Sequence, residues 1–175
     1  MPISSQKEFK PINISVLTIS DTRTEANDTS GQLLAKHVRE KGHGLSHKQI
    51  VKDNKEDIKK ILLEWCSNKE VDVIITTGGT GLTGRDTTPE ALNEIKDKDI
   101  PGFGELFRLI SYKKIGASTI QSRAMAILCK GTYIFALPGS SGAVKDAWED
   151  ILKYQLDSRF EPCNFINIIP RLNEK

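Results

Sequence analysis

A buried strand that runs directly into a glycine-rich loop is the strongest structural signal in this sequence. Residues 71–77 are mostly β-branched and apolar, and Gly78, Gly79, Thr80 and Gly81 follow them without a break. A loop of this kind brings bare backbone N–H groups within reach of phosphate oxygens. Because the carboxylate of Asp86 follows closely, the loop predicts a phosphate site at which a metal ion or a proton is also handled.

The same loop contains a motif of a different class of protein. Three of its glycines spell G-x-G-x-x-G, the dinucleotide fingerprint: Gly79, Gly81 and Gly84. That fingerprint requires a helix that begins inside the motif and an acidic residue at the end of the next strand. Thr88 as N-cap and Pro89 at the first helical position predict a later helix start, and the stretch around Asp97 and Asp99 has a helical pattern. A nicotinamide-dinucleotide enzyme is therefore the weaker alternative. A P-loop is excluded because no Gly-Lys-Ser/Thr follows the glycines.

Length, charge and cysteine usage restrict the class of protein. The chain has 175 residues and a net charge of +2 with mixed charges, which predicts one domain and no nucleic-acid binding. Cys66, Cys129 and Cys163 are odd in number and far apart, which favours reduced thiols and a cytoplasmic location. No apolar run approaches the roughly 20 residues of a membrane span. We expect residues 1–11 to be a flexible arm and residues 12–175 to form the domain.

Strand and helix signals alternate along the chain. Four segments read as strands: residues 12–19, 45–51, 71–77 and 132–137. Helical spacing follows each strand, with predicted N-caps at Thr29 or Ser30, at Asn54 and at Thr88. A further helical stretch is predicted at residues 118–128. The alternation is typical of right-handed βαβ units, so the fold class is α/β: a single three-layer α/β/α domain with a mostly parallel sheet.

Polar and glycine-rich loops follow all four predicted strands. The loops are residues 20–21, 52–54, 76–86 and 138–141. Ligands of open α/β sheets bind at the carboxyl ends of the strands. Because three of these loops contain an aspartate and two contain glycine turns, their convergence predicts a binding site.

The candidate residues also have simpler structural alternatives. Asp53 could help to cap the following helix, Asp86 could pair with Arg85 or support the turn before Thr88, and residues 20–21 could only close a turn. Ser140 is a plausible N-cap, which is compatible with anion binding. No Ser-His-Asp or Cys-His set can be assembled, and this favours phosphate chemistry, where positioning and charge neutralisation do most of the work.

Motifs along nearly the whole chain together resemble one family. They are Ser20-Asp21-Thr22-Arg23, Asp28-Thr29-Ser30-Gly31, Thr77-Gly78-Gly79-Thr80-Gly81, Arg85-Asp86-Thr87-Thr88-Pro89-Glu90, Pro101-Gly102-Phe103-Gly104-Glu105, Ser122-Arg123 and Pro138-Gly139-Ser140. In this order they resemble the molybdopterin-binding MoaB and MogA proteins of molybdenum cofactor biosynthesis, more closely MoaB. The resemblance implies the molybdopterin-binding fold and work alongside other proteins of that pathway.

The resemblance also implies an activity. Active members transfer AMP from ATP to the terminal phosphate of molybdopterin, with Mg²⁺, and release pyrophosphate. A non-catalytic molybdopterin carrier or scaffold is the alternative. By the same resemblance, homotrimers or homohexamers are expected, with Phe103, Phe107 and Ile110 as candidates for an interface or for the core.

Site roles follow from the resemblance by position. Asp53 and Asp86 match the two catalytic or Mg²⁺-handling aspartates. Nucleotide phosphates are expected at Thr77, Gly78, Gly79, Thr80 and Gly81. Substrate contacts are expected at Ser20, Asp21, Ser111, Pro138, Gly139 and Ser140.

Overall fold

Six β-strands form one sheet in the computed structural model, which describes residues 3–172 and 174. The strands are β1 (Asn13–Ile19), β2 (Gly44–Val51), β3 (Val73–Thr77), β4 (Lys98–Asp99), β5 (Met125–Cys129) and β6 (Thr132–Leu137). Their order across the sheet is β2-β1-β3-β6-β5-β4. The first four strands in this order are mutually parallel, while β5 and β4 are antiparallel to their neighbours. The prediction of a mostly parallel sheet is confirmed.

Helices cover both faces of the sheet. They are α1 (Thr29–Glu40), α2 (Lys55–Ser67), α3 (Thr88–Ile95), α4 (Pro101–Ile115), α5 (Ser141–Ala147) and α6 (Lys153–Gln155), with a π-helical turn (Trp148–Leu152) between the last two and 3₁₀ turns at Gly116–Gln121 and Ile166–Arg171. No helix within residues 3–172 and 174 is long and apolar enough to cross a membrane.

Two hydrophobic clusters, one on each face of the sheet, form the core. In β1, Ile14 and Val16 belong to the cluster under α1, α4 and α5, whereas Leu17 and Ile19 belong to the cluster under α2 and α3. Successive side chains of a strand point to opposite faces, so a strand that is apolar throughout is buried on both sides. The predicted three-layer α/β/α architecture is confirmed.

The helix predicted at residues 118–128 is wrong. A 3₁₀ turn (Gly116–Gln121) ends there, and β5 (Met125–Cys129) then pairs antiparallel with β6. A short run that is apolar on both faces cannot be assigned to helix or strand by periodicity. The turn between β5 and β6 has positive φ angles at Lys130 (49°) and Gly131 (84°), as a tight hairpin requires.

Helix starts differ from the predictions by one residue at two positions. Asp28, rather than Thr29 or Ser30, caps α1, and its side chain accepts a hydrogen bond from the Gly31 amide. The N-cap of α3 is Thr87, one residue before the predicted Thr88. Two other predicted caps are confirmed because their side chains accept hydrogen bonds from the first turn: Asn54 and Ser140.

The N-terminal segment lies against the C-terminal part of the chain. Ile3 pairs with Phe160, and the Lys10 amide donates to the Ser158 hydroxyl at 2.8 Å. Residues 1, 2, 173 and 175, which belong to the predicted arm and domain, lie outside the described residues. The flexibility of the arm and its boundary at Ile12 stay predictions.

Candidate functional site

The glycine loop begins where three parallel strands end side by side. Gly78 has a φ of +108°, and its amide donates to the Leu137 carbonyl oxygen at the end of β6 at 2.9 Å. A Cβ at Gly78 would lie 2.1 Å from the carbonyl oxygen of Ile19, the last residue of β1. Only glycine combines this backbone conformation with such close contact. The loop is therefore fixed between the ends of β1 and β6.

Asp53 lies on one side of the glycine loop. Its Oδ1 accepts hydrogen bonds from the amide of Thr87 at 3.0 Å and from the Thr87 hydroxyl at 2.8 Å. Its Oδ2 faces the loop, 2.6 Å from where a Cβ at Gly79 would lie. Asn54, and not Asp53, caps α2. The alternative of a capping role for Asp53 is therefore not supported.

Asp86 lies beside the next glycine of the same loop. Its Oδ2 accepts hydrogen bonds from the amide of Thr83 at 2.8 Å and from the Thr83 hydroxyl at 2.7 Å. A Cβ at Gly81 would lie 2.7 Å from that same oxygen. Arg85 approaches Asp21, at 3.8 Å, so the alternative of an ion pair between Arg85 and Asp86 is not supported. The hydrogen bonds from Thr83 agree with the other alternative, that Asp86 supports the turn before Thr88. Two threonine-held carboxylates thus face two glycines of one loop.

The two carboxylates differ in acidity. Burial raises the pKa of Asp53, with repulsion from Asp86 and Asp21 acting the same way and hydrogen bonds from Thr87 acting against it. Burial also acts to raise the pKa of Asp86, but hydrogen bonds from Thr83 and from the Gly81 amide, together with the charge of Arg123, outweigh it, and the pKa is lowered. A nearby cation therefore stabilises the ionised form of Asp53 more than it stabilises that of Asp86.

This asymmetry predicts that Asp53→Asn raises the melting temperature at pH 7 without ligands. The pKa of Asp53 is higher in the folded than in the unfolded protein, so the protonated carboxyl contributes to the stability of the fold at a pH below the unfolded-state pKa. This contribution is lost as the pH rises through the folded-state pKa. At pH 7 the ionised carboxylate therefore destabilises the fold. Thermal unfolding measures the effect, with Asp150→Asn, an exposed aspartate in the π-helical turn, as control. A lower melting temperature for Asp53→Asn than for wild type would contradict the prediction.

A pocket of about 480 Å³ opens beside the loop. Nine of the predicted site residues line it: Gly78, Gly79, Thr80, Gly81, Asp86, Ser111, Pro138, Gly139 and Ser140. Five further residues complete the lining, and the sequence did not assign them to the site, although Ser122 belongs to a family motif and Phe107 was an interface or core candidate: Phe107, Ile115, Gln121, Ser122 and Ala143. The pocket joins the glycine loop of β3 to the turn after β6 and to the inner face of α4. Its polar part is thus at the strand ends, as expected for an open α/β sheet.

Four predicted residues in the described part of the chain lie outside this lining. Asp53 lies behind Gly79, and its amide donates to Oδ1 of Asp21 at 3.2 Å. The Thr77 hydroxyl donates to the Pro138 carbonyl oxygen at 3.0 Å, which ties the two glycine turns together. Ser20 accepts hydrogen bonds from two amides of its own turn. Thr77 and Ser20 therefore support the loops, and Asp21 supports Asp53.

The donor set suits Mg²⁺ only if a ligand completes it. Oxygen ligands are those that Mg²⁺ prefers, and it is usually bound by one or two carboxylates together with phosphate oxygens and water. Threonines hold Oδ1 of Asp53 and Oδ2 of Asp86, which leaves Oδ2 of Asp53 and Oδ1 of Asp86 as candidate ligands. Among residues 3–172 and 174, no group of three or more His, Cys, Asp or Glu side chains could hold a metal ion alone.

The dinucleotide alternative does not fit the structure. Helix α3 begins at Thr88, four residues after the last glycine of the G-x-G-x-x-G sequence. The stretch around Asp97 and Asp99 was predicted to be helical, but it leads into β4. The presence of this strand does not make the G-x-G-x-x-G sequence a dinucleotide site. Because β4 is an edge strand that pairs with β5, it is not the neighbour of β3 that a dinucleotide fold requires.

Comparison with known proteins identifies one family. Residues 15–158 match the model of a family described as a probable molybdopterin binding domain. Molybdenum cofactor biosynthesis protein B of Escherichia coli K12 is 48% identical over 158 residues, which are 90% of this chain and 93% of that protein. The protein of the same name from Bacillus subtilis is 40% identical over 155 residues, covering 87% and 91%.

Solved structures agree with this match. A crystal structure of a molybdenum cofactor biosynthesis protein B superposes with a TM-score of 0.86 at 41% identity and covers 97% of this chain and 100% of its own. The tungsten cofactor synthesizing protein MoaB from Pyrococcus furiosus superposes with a TM-score of 0.77 at 32% identity, covering 94% and 99%.

Proposed function

This chain belongs to the molybdopterin-binding family, and we propose that it acts in molybdenum cofactor biosynthesis by transferring AMP from ATP to molybdopterin. One observation carries the proposal: two carboxylates, Asp53 and Asp86, flank a glycine loop that lines a pocket. Backbone amides suit phosphate oxygens, and the carboxylates suit the cation that accompanies a nucleoside triphosphate.

The chemistry matches the residues present. A terminal phosphate oxygen of molybdopterin attacks the α-phosphorus of ATP, the bond to the β-phosphate oxygen breaks, and pyrophosphate leaves. Mg²⁺ held by Asp53 and Asp86 would offset the repulsion between the phosphates. Amides inside the loop, those of Gly79 and Thr80, would stabilise charge on the phosphorus oxygens, since the Gly78 amide is bonded to Leu137. Because a phosphate nucleophile is already ionised at neutral pH, no strong general base is required.

The two parts of the pocket differ in their lining, and we assign the substrates by this difference. Its polar end carries Ser140, the N-cap of α5, and Ser111, which is buried on α4. We assign molybdopterin to this end and the nucleotide phosphates to the glycine loop. Phe107 and Ile115 give the remaining wall an apolar surface against which a fused ring can lie.

Pyrophosphate release tests the proposal. The purified protein is given ATP and Mg²⁺ with and without molybdopterin, and then with Mg²⁺ removed by a chelator. We expect release only when pterin and metal are both present. Pterin binding without pyrophosphate release, even when ATP, Mg²⁺ and molybdopterin are all present, would instead indicate the carrier or scaffold.

We further propose that copies of this chain associate as trimers or hexamers in the cytoplasm. Phe103 and Phe107, which were candidates for the interface, are buried in the core. The outer face of α4 is the better candidate because it exposes apolar side chains: Leu106, Leu109 and Tyr112. Sedimentation at micromolar concentration is expected to show the oligomer, and a monomer would contradict it.

A further inference from the structure

We infer that Arg123 is a positioning residue that holds both ends of the glycine loop and thereby sets the direction of Asp86. It lies in the segment between the 3₁₀ turn (Gly116–Gln121) and β5, where a helix was predicted. The inference deepens the proposed function, and the effect of Arg123 on turnover rests on that function. Its consequence for the loop itself is independent of that function.

Arg123 donates to three parts of the loop region through its side chain. Its Nε donates to the Gly81 carbonyl oxygen at 2.8 Å, and one terminal nitrogen donates to the Asp86 carbonyl oxygen at 2.8 Å. The other terminal nitrogen pairs with the Glu90 carboxylate on α3. The Arg123 amide also donates to the Thr80 carbonyl oxygen at 3.3 Å. Arg123 therefore joins Thr80 and Gly81 in the first half of the loop to Asp86 near its end and to Glu90 on α3.

The fixed geometry of guanidinium explains why arginine is needed. Its donors lie in one rigid plane, so two carbonyl oxygens bound to it are held at a set separation. The Gly81 and Asp86 carbonyls thus stay close, and the Asp86 carboxylate is kept against Gly81. A lysine has the charge but no rigid fork, so it cannot bind the two carbonyls in the same way.

Arg123 does not face the substrate pocket. Its neighbour Ser122 lines the pocket, whereas Arg123 lines a separate cleft of about 540 Å³ between α3 and α4, together with Glu105 and Arg108. The guanidinium reaches the loop from behind, through main-chain carbonyls that a ligand in the pocket does not need. Arg123 therefore acts through Asp86 and is not itself a catalytic residue.

Amide hydrogen exchange and turnover together test this role in Arg123→Ala and in the milder Arg123→Lys. We expect exchange in residues 80–87 to become about tenfold faster or more, because several hydrogen bonds from a charged donor are lost. The strands of the sheet should exchange as in wild type. The kcat for pyrophosphate release should fall by about tenfold or more, while the KM for ATP changes by less than about threefold. Methylguanidinium should restore both quantities in Arg123→Ala.

Arg108→Ala is the matched control, because Arg108 lines the same cleft but, within residues 3–172 and 174, its side chain donates only to the Ala124 carbonyl oxygen, at 3.2 Å. It should leave the loop exchange unchanged and show no response to methylguanidinium. Wild-type loop exchange in both Arg123 variants, or an equal rise throughout the sheet, would overturn the inference. If wild type releases no pyrophosphate, the proposed function fails, and loop exchange with its rescue alone decides the role of Arg123.

Discussion

Asp86→Asn is expected to lower the kcat for pyrophosphate release by about a hundredfold to a thousandfold, the effect of removing one preorganised electrostatic contact with a transition state. Asparagine keeps the shape of the side chain, and its oxygen can still accept the hydrogen bonds from Thr83. The loop therefore stays folded, and only the negative charge is lost. Without that charge, Asp53 and residue 86 would hold the Mg²⁺ that accompanies ATP less well.

Binding measurements separate this effect from a loss of structure. The affinity for molybdopterin should stay within about threefold of wild type, because a contact made chiefly in the transition state contributes little to ground-state binding. Asp99→Asn is a suitable control, since Asp99 is an exposed aspartate on β4 that pairs with Lys96. Unchanged turnover in Asp86→Asn would exclude the aspartate from catalysis.

The convergence of the strand-end loops could be predicted because it depends on short-range sequence patterns. Fully apolar strands indicate burial on both faces, and parallel strands place their carboxyl ends at one edge. Asp53 and Gly79 are 26 positions apart in the chain, yet the sheet order β2-β1-β3 brings them into contact. The sequence predicted that they share an edge. It did not predict that Thr87 and Thr83 hold the carboxylates.

Other parts of the site could not be predicted, for physical reasons. Ser122-Arg123 was one of the family motifs, but the role of Arg123 did not follow from it, because Arg123 binds main-chain carbonyl oxygens, which every residue carries. The segment around it was predicted to be helical because a strand buried on both faces has no period of its own. Hairpin pairing with β6 decides its conformation, and that pairing is a tertiary effect.

Gly78→Ala is expected to lower the free energy of unfolding by about 4 kcal/mol, the sum of a strained backbone conformation and overpacking. A methyl group at this position would lie 2.1 Å from the Ile19 carbonyl oxygen, and φ is +108°. Neither side can move easily, because Ile19 ends a central strand and the Gly78 amide is bonded to Leu137. Urea denaturation measures the loss.

Gly84→Ala provides the matched control in the same loop. A Cβ there would meet no atom within 4 Å, and its φ is not in the left-handed region. Its free energy of unfolding should therefore change by less than about 1 kcal/mol, with a small gain expected from the stiffer unfolded chain. Equal losses in the two variants would contradict the close packing of Gly78. A loss confined to Gly78→Ala would show that the strand-end contact with Ile19 sets the position of the glycine loop, on which the placement of both Asp53 and Asp86 depends.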